Sequence, residues 1–152
     1  MDELRDLYQE VIFDHNRTPR NFHKLPGANR HAEGFNPLCG DQLSVYLKVS
    51  DQDVIEDVSF EGRGCAISTA SASIMTETLK GKTVRQADTL FENFHRLVTG
   101  QGVDAAAPAA DLGKLQVLTG VRDYPARVKC ATLAWHTVQA ALKNAATTVS
   151  TE

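Results

Sequence analysis

Two neighbouring segments with alternating apolar residues constrain the fold of this chain more than any other feature. Within residues 42–49 every second side chain is apolar, and most of the side chains between them are polar. This is the pattern of a strand that buries one face. A cluster of turn-forming residues at 50–53 follows, and a second strand pattern continues to Phe60. The two segments therefore predict an antiparallel hairpin.

Helical patterns account for most of the remaining chain. An amphipathic helix is predicted over 3–14, and further helices are predicted over 65–80, from Thr83 onward and over 129–144. A short strand is predicted near 30–35. Strands that come together, followed by a block of helices, are typical of the α+β class. We expect a small antiparallel sheet of three strands with helices packed on one face. It forms a single domain over 1–146, with a flexible C-terminal tail over 147–152.

The charge and hydropathy of the chain exclude several classes of partner. The 152 residues include 16 basic and 19 acidic side chains, a net charge of −3, and no basic stripe. This argues against a nucleic-acid partner. No apolar run approaches the roughly 20 residues of a membrane span. Charged residues are spread through the first ten residues, unlike in a secretory signal peptide. We therefore expect a cytoplasmic protein with no membrane partner.

The chain contains three cysteines, Cys39, Cys65 and Cys130. An odd number in a chain without an export signal argues against a disulfide framework. Each falls at a predicted element boundary and not within an apolar stripe. Cys65 and Cys130 are predicted to open helices, where the helix dipole and free N–H groups favour the thiolate. The positions of the cysteines therefore indicate a chemical role.

An aspartate completes a candidate metal site. Asp41 lies two residues after Cys39, and in an extended segment such residues point to the same side. The predicted ligand set is Cys39, Asp41, Cys65 and Cys130. Zn²⁺ accepts both thiolate and carboxylate ligands. Three cations beside the cysteines would offset the negative charge of the set: Arg63, Arg127 and Lys129. The spacing matches no zinc-finger signature, so a reactive cysteine or ordinary buried thiols remain alternatives.

Several segments carry a resemblance to a known family. Residues 36–41 read NPLCGD and residues 62–68 read GRGCAIS, and the third cysteine is predicted to open the last helix. Together with segments 7–12 and 19–22, these motifs resemble the IscU/NifU N-terminal family. The resemblance implies the handling of sulfur and iron during iron–sulfur cluster biogenesis. It also implies that the three cysteines and Asp41 correspond to the functional residues of the family.

Departures from the scaffold-type IscU pattern indicate a branch of that family. Lys129 stands where those proteins have a histidine directly before the third cysteine. Their Leu-Pro-Pro-Val-Lys chaperone-docking motif is replaced by residues 124–129, YPARVK, which have one proline. The chain also has additional residues between its second and third cysteines. These features resemble the SufU type, which implies a zinc-dependent sulfurtransferase. The implied partners are a SufS-type cysteine desulfurase and downstream SUF assembly proteins.

A division of roles among the site residues follows from this interpretation. Four-coordinate zinc keeps sulfur ligands deprotonated but masks them as nucleophiles. A replacement ligand from the desulfurase would release one thiolate for thiol–persulfide exchange. Cys39 is predicted to be that persulfide acceptor, because it lies in a loop beside Gly40. Arg127 is predicted to stabilise the freed thiolate. Cys65 and Cys130 are expected to hold the zinc throughout.

Two other functions use the same residues. In an IscU-type scaffold, the cysteines would hold iron or an iron–sulfur cluster. Lys129 argues against this, because an ammonium group is a poor iron ligand where scaffolds offer imidazole. In a non-catalytic interaction module, zinc would only stabilise the fold, and loss of Cys39 or of Cys65 would simply destabilise it.

Overall fold

The computed structural model describes residues 2–37, 40–99, 115, 117–118, 124–143 and 148–150. The elements in chain order are α1 (Asp2–Arg17), β1 (Arg30–Asn36), β2 (Asp41–Val49), β3 (Ile55–Arg63), α2 (Ala66–Leu79), α3 (Val84–Thr99), α4 (Pro125–Leu142) and β4 (Thr148–Ser150). Within this part of the chain, no helix has both the length and the apolar character needed to cross a membrane.

The predicted antiparallel sheet is confirmed. Strands β1, β2 and β3 are antiparallel neighbours, and β2 lies between the other two. Burial alternates along β2 as the sequence pattern requires, with Leu43, Val45, Leu47 and Val49 all buried. Asp41 occupies the same inward-facing row. A carboxylate therefore begins the apolar row of the central strand, where a charged group needs hydrogen-bond partners.

A fourth strand differs from the sequence prediction. β4 pairs in parallel with β1, from Glu33↔Thr148 to Phe35↔Ser150. It falls within residues 147–152, for which the sequence predicts a flexible tail, and no strand was predicted there. Without β4, that side of β1 would be an open edge with unpaired N–H and C=O groups, and a short β-branched segment is well suited to cover it.

The helices pack as predicted. α4 contacts β1 and β2, α2 contacts β3, α1 packs on α2, and α3 packs on α4. The largest fully buried side chains of the resulting core are Trp135, Phe60, Phe94, Leu47, Ile55, Ile74, Met75, Leu79, Leu115, Leu118 and Leu133. The exposed side chains of Gln42 and Lys48 lie on the other face of β2. The core therefore lies between one face of the sheet and the helices.

The start of the last helix differs from the prediction. α4 begins at Pro125 and not near Lys129, so Cys130 lies in its second turn and does not open the helix. Proline suits the first helical position because its fixed φ matches the helix and its missing N–H has no partner to lose. The first turn has no apolar stripe, since Ala126 and Arg127 are exposed. The apolar periodicity that indicates a helix therefore begins only after the first turn of α4.

A buried polar network joins α1 to α2. His15 is only 1% exposed, and its Nδ1 lies 2.7 Å from Ser73 Oγ. Ser73 Oγ also accepts the backbone N–H of Arg20 at 2.8 Å. The other ring nitrogen of His15 lies 3.5 Å from a carboxylate oxygen of Glu77. The small polar residues of α2 therefore hold α1 and the segment after it in place.

The contact between Gly34 and α4 generates a stability prediction. A Cβ at position 34 would overlap Oγ1 of Thr137 and lie 3.1 Å from Cδ1 of Leu133. We expect Gly34→Ala to reduce the free energy of unfolding by about 1–3 kcal/mol, because α4 must move away from β1. Urea denaturation of the metal-free protein measures this change.

The control is the Thr137→Ala variant. Gly34→Ala combined with Thr137→Ala should cost less than the sum of the two single changes, because the overlapping oxygen is absent. Strict additivity of the two free energies would contradict the proposed contact.

Candidate metal centre

Asp41 is the buried carboxylate of the site. It is the first residue of β2, pairs with Asn36 across the sheet and is 0% exposed. Its Oδ1 accepts the backbone N–H of Cys65 at 2.8 Å. Gly64 makes this possible, because a Cβ there would lie 2.7 Å from the same oxygen. One carboxylate oxygen of Asp41 therefore joins β2 to the start of α2.

Cys65 is the N-cap residue of α2, as predicted. Its backbone is extended, and its Sγ accepts the N–H of Ser68 at 3.4 Å. The thiol also lies 3.9 Å from Oδ2 of Asp41. Because Cys65 is half-buried, its sulfur is held by the helix terminus without being sealed from solvent.

The surroundings of Cys65 stabilise its thiolate. A hydrogen bond from the Cys130 thiol is the largest effect, and the pKa of Cys65 is lowered from its usual 9.0 to about 6. The N–H groups of Ser68 and Ile67 act in the same direction. Burial and the negative charge of Asp41 oppose the shift. The predicted thiolate at the start of this helix is therefore supported, with Cys130 as its main cause.

Cys130 approaches the site from α4 and is 1% exposed. The predicted stabilisation by a helix N-terminus does not apply here, because Cys130 lies in the second turn. One ligand atom each from Asp41, Cys65 and Cys130 lie within 4.8 Å of one another. Three of the four residues predicted from the sequence are therefore brought together from a strand, a helix terminus and a helix interior.

The other residues predicted to act at the site are Cys39 and the three cations. Cys39 lies outside the described residues. Arg127 is exposed in the first turn of α4, three residues before Cys130, so the two share a helix face. Arg63 is exposed at the end of β3, and Lys129 is half-buried. Among the described residues, none of these cations forms an ion pair with Asp41.

Asn36 belongs to the NPLCGD motif, but no role was predicted for it from the sequence. Asn36 is fully buried at the end of β1, and its Nδ2 lies 3.5 Å from Asp41 Oδ2 and 3.7 Å from Cys130 Sγ. Its position in the strand could have indicated a role, because residues 32, 34 and 36 are all buried on the same face of β1. A polar residue in that row points towards a buried polar site.

Comparisons with known proteins identify relatives that match most of this chain. The iron–sulfur cluster assembly scaffold protein IscU of Streptococcus pyogenes serotype M1 is 40% identical over 146 residues, covering 96% of this chain and 89% of the relative. The zinc-dependent sulfurtransferase SufU of Bacillus subtilis strain 168 is 41% identical over 136 residues, covering 90% of this chain and 89% of the relative.

A solved structure matches the fold of this chain. The crystal structure of FiSufU, a candidate iron–sulfur cluster assembly scaffold protein for the SUF system from Fervidobacterium islandicum AW-1, superimposes with a TM-score of 0.80. It is 38% identical, and the match covers 88% of this chain and 94% of that one. The family described as the NifU-like N terminal domain matches residues 7–150. The chain therefore belongs to the NifU-like N-terminal domain family, which includes the IscU and SufU proteins.

Proposed function

We propose that this chain is a zinc-dependent sulfurtransferase of the SufU type. It accepts persulfide sulfur from a SufS-type cysteine desulfurase and passes it to SUF assembly proteins for iron–sulfur cluster biogenesis. The observation that carries the proposal is the convergence of Asp41, Cys65 and Cys130 within 4.8 Å. Lys129, and not a histidine, precedes the third cysteine. The SufU relative from Bacillus subtilis, 41% identical, supports the same function.

The residues fit a zinc ion chemically. Two sulfurs and a carboxylate oxygen are ligand types that Zn²⁺ binds, at about 2.3 Å for sulfur and about 2.0–2.2 Å for oxygen. Ligand atoms within 4.8 Å of one another are close to the spacing that one ion bridges. The lowered pKa of Cys65 favours the thiolate that a metal requires. When bound, zinc supplies stabilisation of the thiolates and lowers their nucleophilicity.

Cys39 is the proposed fourth ligand and the sulfur acceptor. It lies two residues before Asp41 in the sequence, between the last residue of β1 and the first residue of β2. Its thiolate attacks the terminal sulfur of the desulfurase persulfide, and a new S–S bond forms at Cys39. The S–S bond of the donor breaks, and the desulfurase cysteine leaves as a thiolate. The exchange is redox-neutral and needs no further reagent.

The other site residues have holding and electrostatic roles in this proposal. Cys65 is held by the N-terminus of α2, and Cys130 is buried on α4, so the fold keeps both sulfurs in place. Arg127 is exposed on the same helix face as Cys130. Its guanidinium would stabilise the Cys39 thiolate once that thiolate leaves the metal.

A cluster scaffold is the second candidate function. The IscU scaffold protein of Streptococcus pyogenes covers 96% of this chain at 40% identity, which is as close as the SufU relative. A scaffold would use the same three cysteines to hold an iron–sulfur cluster. Anaerobic incubation with ferrous iron and sulfide distinguishes the two functions, since a scaffold retains a cluster with visible absorption after desalting.

The proposed transfer predicts which cysteine accepts sulfur. After incubation of the zinc-loaded protein with a SufS-type desulfurase and L-cysteine, we expect the mass of one added sulfur atom on the Cys39 peptide. About one zinc ion per chain should remain bound. Cys39→Ala should abolish sulfur acceptance and retain part of the zinc, whereas Cys65→Ala should lose most of it. Peptide mass spectrometry and zinc quantification on the same sample measure both.

Two results would contradict this proposal. If no cysteine gains sulfur while zinc stays bound, the metal is structural and the chain is an interaction module. If Cys39→Ala and Cys65→Ala lower the melting temperature equally and neither changes sulfur acceptance, the proposed division of roles is wrong.

The lowered pKa of Cys65 gives a separate prediction about its reactivity. Iodoacetamide reacts with the thiolate, so in metal-free protein the alkylation rate of Cys65 should reach half its maximum near pH 6 and not near 9.0. Peptide mapping separates Cys65 from the other cysteines. Cys130→Ala removes the main stabilising hydrogen bond and should move the midpoint to higher pH. An unchanged midpoint in that variant would contradict the assigned cause.

A further inference from the structure

The geometry points to Asn36 as the residue that positions two of the proposed metal ligands, Asp41 and Cys130. Its Nδ2 lies 3.5 Å from Oδ2 of Asp41 and 3.7 Å from Sγ of Cys130. The inference deepens the proposed function and rests on its metal site. Asn36 is not itself offered as a ligand. It acts through the residues that it contacts.

The sheet register places Asn36 at the site. Asn36 is the last residue of β1 and lies directly opposite Asp41, the first residue of β2. Side chains of directly opposed residues in an antiparallel pair share one face and lie close together. The backbone C=O of Asn36 also accepts the N–H of Gly40, directly before β2, at 2.9 Å. Asn36 therefore bonds to Gly40 through its backbone and contacts two ligand residues through its side chain.

The amide is chemically suited to this position. Its NH₂ group carries two N–H donors, one available for the carboxylate and one for the sulfur. The reverse orientation would direct the amide oxygen at a carboxylate and a thiol or thiolate sulfur, which is electrostatically unfavourable. The 3.5 Å contact with the carboxylate is longer than the usual N–H···O distance of about 2.7–3.2 Å, whereas the 3.7 Å contact with sulfur reflects the larger size of that atom.

Burial makes these donors necessary. Asp41 is 0% exposed and Cys130 is 1% exposed, so solvent does not compensate the charge of the carboxylate or of a thiolate at Cys130. Oδ1 of Asp41 is already bonded to the Cys65 N–H, and Asn36 donates to the second oxygen. A buried carboxylate or thiolate that loses a donor pays its full desolvation cost. Asn36 therefore lowers the repulsion between two ligands and fixes their relative positions without competing for the metal.

The test compares two substitutions of similar size. Asn36→Asp replaces the donors with a carboxylate, and Asn36→Leu removes them without adding charge. Loss of partners that orient metal ligands typically lowers metal affinity 10–100-fold. We expect a loss of about that size for Zn²⁺ in Asn36→Leu, measured by competition with a chromogenic chelator. In Asn36→Asp, the Co²⁺-substituted protein should show a weakened or shifted thiolate-to-cobalt absorption band.

Asn21→Asp is the matched control. Asn21 is half-buried, and its Nδ2 donates to Oγ1 of Thr76 at 3.0 Å, at the other end of α2 from Cys65. The same chemical change there should leave zinc affinity and the cobalt spectrum as in the unmodified protein. Circular dichroism of the metal-free variants separates loss of fold from loss of metal binding. If Asn36→Asp does not fold, Asn36→Leu decides the question.

The outcomes separate this inference from the proposed function. If the folded Asn36 variants bind zinc with unchanged affinity and give an unchanged cobalt spectrum, Asn36 has only a structural role and the inference is overturned. If the unmodified protein binds no zinc, the proposed function itself fails. If the unmodified protein binds zinc but accepts no sulfur, only the transferase step fails, and the positioning role still stands or falls by the affinity measurements.

Discussion

The hydrogen bond from the Cys65 N–H to Oδ1 of Asp41, 2.8 Å long, is the interaction on which the candidate metal centre depends. It joins the first residue of the central strand to the residue that caps α2. The positive end of the helix dipole helps to stabilise the buried carboxylate there. Because Oδ1 is committed to this bond, Oδ2 faces the sulfur of Cys65 and the amide of Asn36. One carboxylate thus serves the fold through one oxygen and the site through the other.

The electrostatics of the site explain why so many donors surround it. A buried carboxylate beside a thiolate is unfavourable unless hydrogen bonds or a cation offset the charge. The described structure supplies N–H groups from Cys65, Ser68 and Asn36, while the nearby Arg63 and Arg127 remain exposed. Neutral donors hold the anionic groups in place and leave the ligand atoms available. Such a site gains most from a bound cation, which is consistent with a proposed role in metal binding.

The sequence predicted the features that depend on local patterns. The hairpin followed from a two-residue repeat that buries one face of β2, and the helix predicted over 65–80 lies within one residue of α2 at each end. The start of α4 was missed because its first turn has exposed residues, so the apolar periodicity that indicates a helix begins after it. β4 was missed because its pairing depends on the free edge of β1, a property of the assembled sheet.

The same distinction applies to the site. Cys65 was predicted from an element boundary and Asp41 from its two-residue spacing to Cys39, and both signals are local. The structure places Cys130 close to both, but it does not open a helix as predicted; it lies inside α4 and acts on Cys65 through a hydrogen bond. The role of Asn36 depends on strand register and on the approach of α4. Neither of these is visible in the sequence alone.

The distance along the chain between Asp41 and Cys130 has a consequence for the unfolded protein. A metal ion bound by both would act as a cross-link that closes a loop containing the central hairpin, α2 and α3. Closing a long loop removes conformational entropy from the denatured ensemble, much as a disulfide does. Release of the metal would therefore return that freedom to most of the domain, so metal exchange and the tendency to unfold would be thermodynamically linked.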